Sequence, residues 1–245
     1  MRIQEQGEAM AGSPGRNVAI FDLDGTITRR DTYTALLLRA LRHRPARLVP
    51  ALALPLAAVV HLAGLRDNAW LKARFLAAIL GGIGRDELQG LTGPFLADLL
   101  KHGLRTRARA VIDAHRVAGD YVLLATASFD FYCLEIGRTL GFDAVVCTES
   151  QWRDERLVPV LATGNCHGLV KQRRVQEALT RLPGPARLTV YSDSHADLPI
   201  LGIADEPVAV NPTRRLAAIA EVRRYRVEDW GDYPAVGPGR NRTKD

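Results

Sequence analysis

Short apolar runs separated by helical stretches fill the second half of this 245-residue chain. From residue 120 on, "YVLLAT" (121–126), "AVVC" (144–147), "RLTVYSD" (187–193) and "PVAV" (207–210) read as strands. Helical patterns run between them, to Leu140 and from about Leu169 to Leu182, and "TESQWRDERLVPVLATGNCHG" reads as a β-excursion followed by a loop. Such strands have no polar face to turn to water, so alternation with helices specifies a parallel sheet covered on both sides. A further strand, "VAIF" (18–21), stands far upstream, and residues 32 to 116 carry helical patterning with no convincing strand. The expected fold class is therefore α/β, a Rossmann-like parallel sheet with an α-helical cap inserted between its first two strands. The expected division is a flexible leader (1–16), a core (17–31 and 117–230), a helical cap (32–116) and a flexible tail (231–245).

The upstream strand ends in "DLDGT", which places Asp22 and Asp24 on nearly the same side of a strand end. Doubly wound sheets bind ligands beyond the carboxyl ends of their strands. The other strand ends there carry Thr126, in "ATAS", and Asp193 and Asp197, in "SDSHAD", while Lys171 opens the helix after the "GNCHG" loop. Carboxylates gathered in one cleft repel each other unless a hard cation such as Mg²⁺ neutralises them through oxygen ligands. One of the paired acids can then attack phosphorus, and the other can protonate the leaving oxygen and later activate water. The lysine and the threonine hydroxyl would hold the phosphoryl oxygens.

These four elements, in this order, resemble the motifs of the haloacid dehalogenase superfamily: DxDxT after a strand, Ser or Thr at a strand end, lysine, and an acidic pair. The resemblance implies Asp22 as nucleophile and Mg²⁺ ligand, and Asp24 as general acid/base with its backbone carbonyl on the metal. It implies Asp193 as a metal ligand, Asp197 as support for the metal shell, and Thr126 and Lys171 as phosphate-binding residues. Dehalogenases of the superfamily lack the second acid and P-type ATPases carry Thr there, so Asp24 implies a phosphatase or phosphotransferase. The inserted helices look like the cap of the type IB hydrolases, the subgroup that includes phosphoserine phosphatase. Two positions depart from that enzyme's pattern: Asp31 stands where it carries Glu, and Thr126-Ala127-Ser128 where it carries Ser-Gly-Gly.

The formal net charge of +6 favours anionic partners. No RNA- or DNA-binding signature accompanies it, so phosphorylated small molecules or lipid headgroups are expected rather than nucleic acid. The odd set Cys133, Cys147 and Cys166 lacks metal-type spacing and suits a reducing cytoplasm. The window 48–65 is the most apolar in the chain, and no acid occurs between Thr32 and Arg66. It has two readings, a core helix of the cap or a helix lying at the inner membrane face. The second reading matches a likeness to C-type phosphatidylglycerophosphatases, which share this core and an apolar cap segment. The expected activity is Mg²⁺-dependent hydrolysis of a small phosphorylated metabolite. A membrane-associated lipid phosphatase is the alternative, with a phosphotransferase or a non-catalytic phosphate-ligand binding protein behind it.

Overall fold

The computed structural model describes residues 15–231 apart from 183 and 185, so most of the expected leader and tail lies outside the described residues. Among these residues, six strands form one sheet in the order β3-β2-β1-β6-β7-β8, with every neighbouring pair parallel. They are β1 (Val18–Phe21), β2 (Tyr121–Phe129), β3 (Ala144–Thr148), β6 (Leu188–Ser192), β7 (Glu206–Val210) and β8 (Arg226–Glu228). Between β3 and β6 an antiparallel hairpin, β4 (Ser150–Arg153) and β5 (Arg156–Leu161), supplies the expected β-excursion. The strand order departs from β1 in both directions, so the crevice of the sheet opens at the carboxyl ends of β1, β2 and β6.

Strand periodicity explains the two cores. Val18 and Ile20 face one side of the sheet and pack with Leu123, Ala125 and Val190, while Ala19 and Phe21 face the other. That second core runs on without a break into Leu36, Leu76, Leu80 and Phe95 of the helical block.

The block between β1 and β2 holds α1 (Thr32–His43), α2 (Leu48–Ala51), α3 (Leu54–Leu62), α4 (Asn68–Leu80), α5 (Arg85–Asp98) and α6 (Ala108–Val117). A π-helical turn, Leu99–Gly103, extends α5. In the sheet region lie α7 (Asp130–Leu140), α8 (Leu169–Leu179), α9 (Leu198–Leu201) and α10 (Arg214–Arg223). The side chain of Asp31 caps α1 by accepting from Thr34 N at 2.6 Å.

Three details differ from the sequence reading. Strand β2 continues past Thr126 to Phe129, with its register to β3 shifted between Ala125 and Phe129. Strand β8 was not foreseen, because a three-residue, mostly exposed edge carries no apolar run. The window 48–65 is not a buried core helix: of α2 and α3 only Leu54 is buried, whereas Leu52 is 79% and Leu62 83% exposed.

Candidate active site

Residue 22 still belongs to the ladder, since its N–H donates to Tyr191 O at 3.0 Å. The chain then turns: Leu23 O accepts from Ile27 N and Thr28 N at 3.0 and 2.9 Å. Gly25 sits inside this turn at φ +84°, and a Cβ there would come within 2.3 Å of Asp193 Oδ2. Only glycine satisfies both conditions, which lets the β1 turn close against the end of β6.

Lys171, in the first turn of α8, is buried between two carboxylates. Its Nζ donates to Asp22 Oδ1 at 2.7 Å and to Asp197 Oδ2 at 2.9 Å. Ser192 Oγ adds a second donor to Asp197, at 2.8 Å on the same Oδ2. Burial opposes the lysine's charge, but Asp197 and Asp22 outweigh it and raise its pKa, so the ammonium keeps its proton. The crowding falls on Asp22, whose carboxyl is pushed well up by burial, against the pull of Lys171, with Asp197, Asp193 and Asp24 adding to the rise.

Thr26, the last residue of "DLDGT", ties the two strand ends together. Its hydroxyl lies 3.3 Å from Asp22 Oδ2 and 3.4 Å from Asp193 Oδ1, and accepts from Asp193 N at 2.9 Å. Burial, then Asp197, pushes Asp193 up to about 6.

Asp24 faces the start of α1. Its Oδ1 accepts from Thr32 N and Thr32 Oγ1, each at 2.6 Å, and its Oδ2 accepts from Ser128 Oγ at 2.6 Å. Thr32 Oγ1 also lies 3.2 Å from the Tyr132 hydroxyl. Burial raises the Asp24 pKa and Asp31 adds to it, while the Ser128 and Thr32 hydrogen bonds hold it down.

Thr126 is fully buried where the β2 register shifts, and its hydroxyl accepts from Ser128 N at 3.0 Å. In this arrangement Thr126 has no place in the lining of the cleft, whereas its neighbour Ala127 does. Five of the six sequence-derived residues, Asp22, Asp24, Lys171, Asp193 and Asp197, line one cleft of about 320 Å³, with Arg29 and Arg30 also in its wall.

A second, larger chamber of about 690 Å³ adjoins it. Leu37, Leu41, Leu54, Leu71 and Phe75 line it, and it shares Asp24, Asp31, Ala127 and His167 with the cleft. Into this apolar lining comes Lys72, a residue the sequence reading passed over. Its Nζ donates to Ala127 O and, at 3.3 Å, to Asn165 Oδ1, and stands 4.7 Å from the Phe129 ring centre. Burial brings Lys72 down to about 8, with Asp24 opposing. One lysine in the otherwise apolar face of "NAWLKARFLAAIL" was the available signal. Thr32 and Ser128 were also missed as partners of Asp24: Ser128 lies 104 residues away, and nothing in the sequence shows that the turn after β1 brings Asp24 back onto the start of α1.

The donor chemistry of the cleft fits a hard divalent cation. Five carboxylates, Asp31 among them, line the cleft with one lysine ammonium and two arginines, and Asp22 and Asp193 present oxygens on either side of the Thr26 hydroxyl.

The family model of haloacid dehalogenase-like hydrolases matches residues 19–202. Protein CicA of Caulobacter vibrioides is 30% identical, over 80% of this chain and 88% of its own. A histidinol-phosphatase of Neisseria meningitidis is 27% identical, over 65% of this chain and 73% of its own. Among solved structures, a Bordetella pertussis protein of unknown function superposes with a TM-score of 0.79 at 27% identity, covering 89% of this chain and all of that one. A substrate-bound phosphoserine phosphatase complex superposes with a TM-score of 0.61 at 13% identity, covering 87% of this chain and all of that one, a likeness of fold.

Proposed function

The chain belongs to the haloacid dehalogenase-like hydrolase family, and we propose that within it the protein is a phosphomonoester phosphatase working through an aspartyl-phosphate on Asp22. The observation that carries this reading is the position of Asp24. It lines both the cleft that holds Asp22 and Lys171 and the apolar chamber beside it. A phosphoryl group on Asp22 then lies on one side of the acid and its leaving group on the other.

The residues divide the work. Asp22 Oδ1 is held by Lys171, which leaves Oδ2, hydrogen-bonded among the described residues by Thr26 alone at 3.3 Å, as the attacking oxygen. Asp24 gives its proton to the departing oxygen and, as the carboxylate left behind, later takes one from water; its burial in the cleft favours the protonated form that starts the cycle. Lys171 holds phosphoryl oxygens from within the cleft, and Thr126, buried outside its lining, would add its hydroxyl proton on a shift of the β2 end. Asp197 and Ser192 keep the lysine aimed at Asp22. Asp22, Asp193 and the backbone carbonyl of Asp24 would hold Mg²⁺, with Asp197 supporting the shell. When bound, the ion offsets the carboxylate charge and that of the phosphoryl oxygens.

The same proposal takes residues 32–116 as a cap over a core of 17–31 and 117–230. The cap sets specificity through the chamber, which suits a small phosphorylated molecule with an apolar portion. A lipid headgroup phosphate is the second reading, favoured by the leucines that line the chamber. Free, buried Cys133, Cys147 and Cys166 support a cytoplasmic location.

Phosphate release from a panel of phosphomonoesters, with Mg²⁺ or EDTA, tests the activity. Acid quenching with radiolabelled substrate should trap a hydroxylamine-labile phosphoenzyme. Full turnover by Asp22→Asn would overturn the mechanism. Diversion of phosphate to added alcohols would make the enzyme a phosphotransferase.

A further inference from the structure

The segment Pro45–Leu62 has two unlike sides. Its inner side, with Ala51, Leu54 and Ala58, roofs the chamber beside Asp24. Its outer side presents Leu48, Val49, Leu52, Leu56, Val59 and Leu62 to solvent, each more than half exposed. Only 11% of this 18-residue stretch is buried. Isolated exposed leucines are ordinary in soluble proteins, but a contiguous set on one short segment marks a surface that binds something.

We propose that this outer face docks on an anionic phospholipid bilayer, lying in its interface. Charge selects the occupant. No Asp or Glu occurs between Thr32 and Arg66, and Arg42 and Arg66 are exposed at the two ends of the segment. Arg44 and Arg47 are engaged within the protein, on Ile79 O and Glu87, and on Gly81 O. A twofold pairing with a second copy would set two such acid-free faces against each other. An anionic bilayer instead supplies counter-charge to the arginines and apolar volume to the leucines. The segment lies on the bilayer and does not cross it. α2 and α3 are separate short helices parted by a turn at Leu52 and Ala53, with Pro55 in the first turn of α3, and both pack on α4. Both ends of the segment therefore stay on one body.

Docking is independent of the hydrolytic reading, and the test keeps the two apart. The full chain is sedimented with phosphatidylcholine vesicles and with vesicles rich in phosphatidylglycerol, at low and high salt. Binding should require the anionic lipid, weaken with salt, and fall at least about tenfold in a Leu52→Glu/Leu62→Glu variant that keeps wild-type turnover of soluble esters. No binding by the wild type, or equal binding by that variant, would overturn docking. A concentration-dependent dimer abolished by the variant, without vesicle binding, would overturn it as well. Should the double variant fail to fold, Leu52→Trp serves in its place. Its fluorescence should be quenched by brominated acyl chains, and an unquenched signal would overturn the proposal. Turnover without vesicle binding sinks docking alone, whereas vesicle binding without turnover supports docking and sinks only the phosphatase reading.

Discussion

Asp22 and Lys171 meet at 2.7 Å although 149 residues separate them, and each depends on the other. Replacing Lys171 by Met leaves Asp22 and Asp197 buried without their cation, and breaking a buried pair from one side costs about 3–5 kcal/mol. Thermal denaturation should register that loss, and stability within about 1 kcal/mol of wild type would deny the pair its structural role. Asp22→Asn removes the nucleophile but little volume. It should keep a native circular dichroism spectrum while turnover falls by at least about 10⁴-fold, and Asp24→Asn should lose about 10²–10⁴-fold. Lys72 offers a pH test. Its folded pKa of about 8 lies below the ordinary 10.5, so the unfolded chain binds more protons between those values. Its contribution to stability therefore rises with pH across that window, by an amount on the order of 2–3 kcal/mol. Lys72→Met should abolish that rise in denaturant melts at pH 7.5 and 10, and an unchanged slope would refute the assignment.

Elements carry the site by their ends. The N-terminus of α1 supplies Thr32 N–H to Asp24 at 2.6 Å, and Asp31 caps the same turn. Asp31→Ala should cost about 1 kcal/mol, a typical loss for an N-cap. A matching fall of about 2–4 °C in melting temperature would register it, and no fall would show the cap to be idle. The turn after β1 is held just as locally. At Gly25 an alanine would meet Asp193 Oδ2 in a backbone conformation that L side chains rarely adopt. The β1 and β6 ends would then have to part, so Gly25→Ala should weaken catalysis more than folding. These contacts explain what stayed hidden in the sequence. The Asp-x-Asp-Gly-Thr run showed that β1 ends in chemistry, but not that Thr26 bridges to Asp193 or that Asp24 turns toward Thr32 and Ser128.

At the scale of the whole molecule, one apolar core runs from the sheet into the helical block, and five carboxylates crowd the cleft beside it. Filling that cleft with Mg²⁺ should raise the melting temperature and restore turnover lost to EDTA. A Mg²⁺ shift that survives Asp193→Asn unchanged would place the ion elsewhere.

The parallel α/β class, the insertion of helices after the first strand, and the convergence of Asp22, Asp24, Lys171, Asp193 and Asp197 were all legible from the residues in order. Each of these is written in periodicity and in residues at strand ends, which are local properties of the chain. Tertiary structure alone decided the rest. Thr126 carries no local mark of being turned onto Ser128 N–H, nor Lys72 of being drawn into an apolar chamber. The outward face of 48–65 was equally open, since an apolar stretch reads alike whether a neighbour covers it or water does. Burial depends on which surfaces the remainder of the chain places opposite a residue, and no window of sequence contains that information.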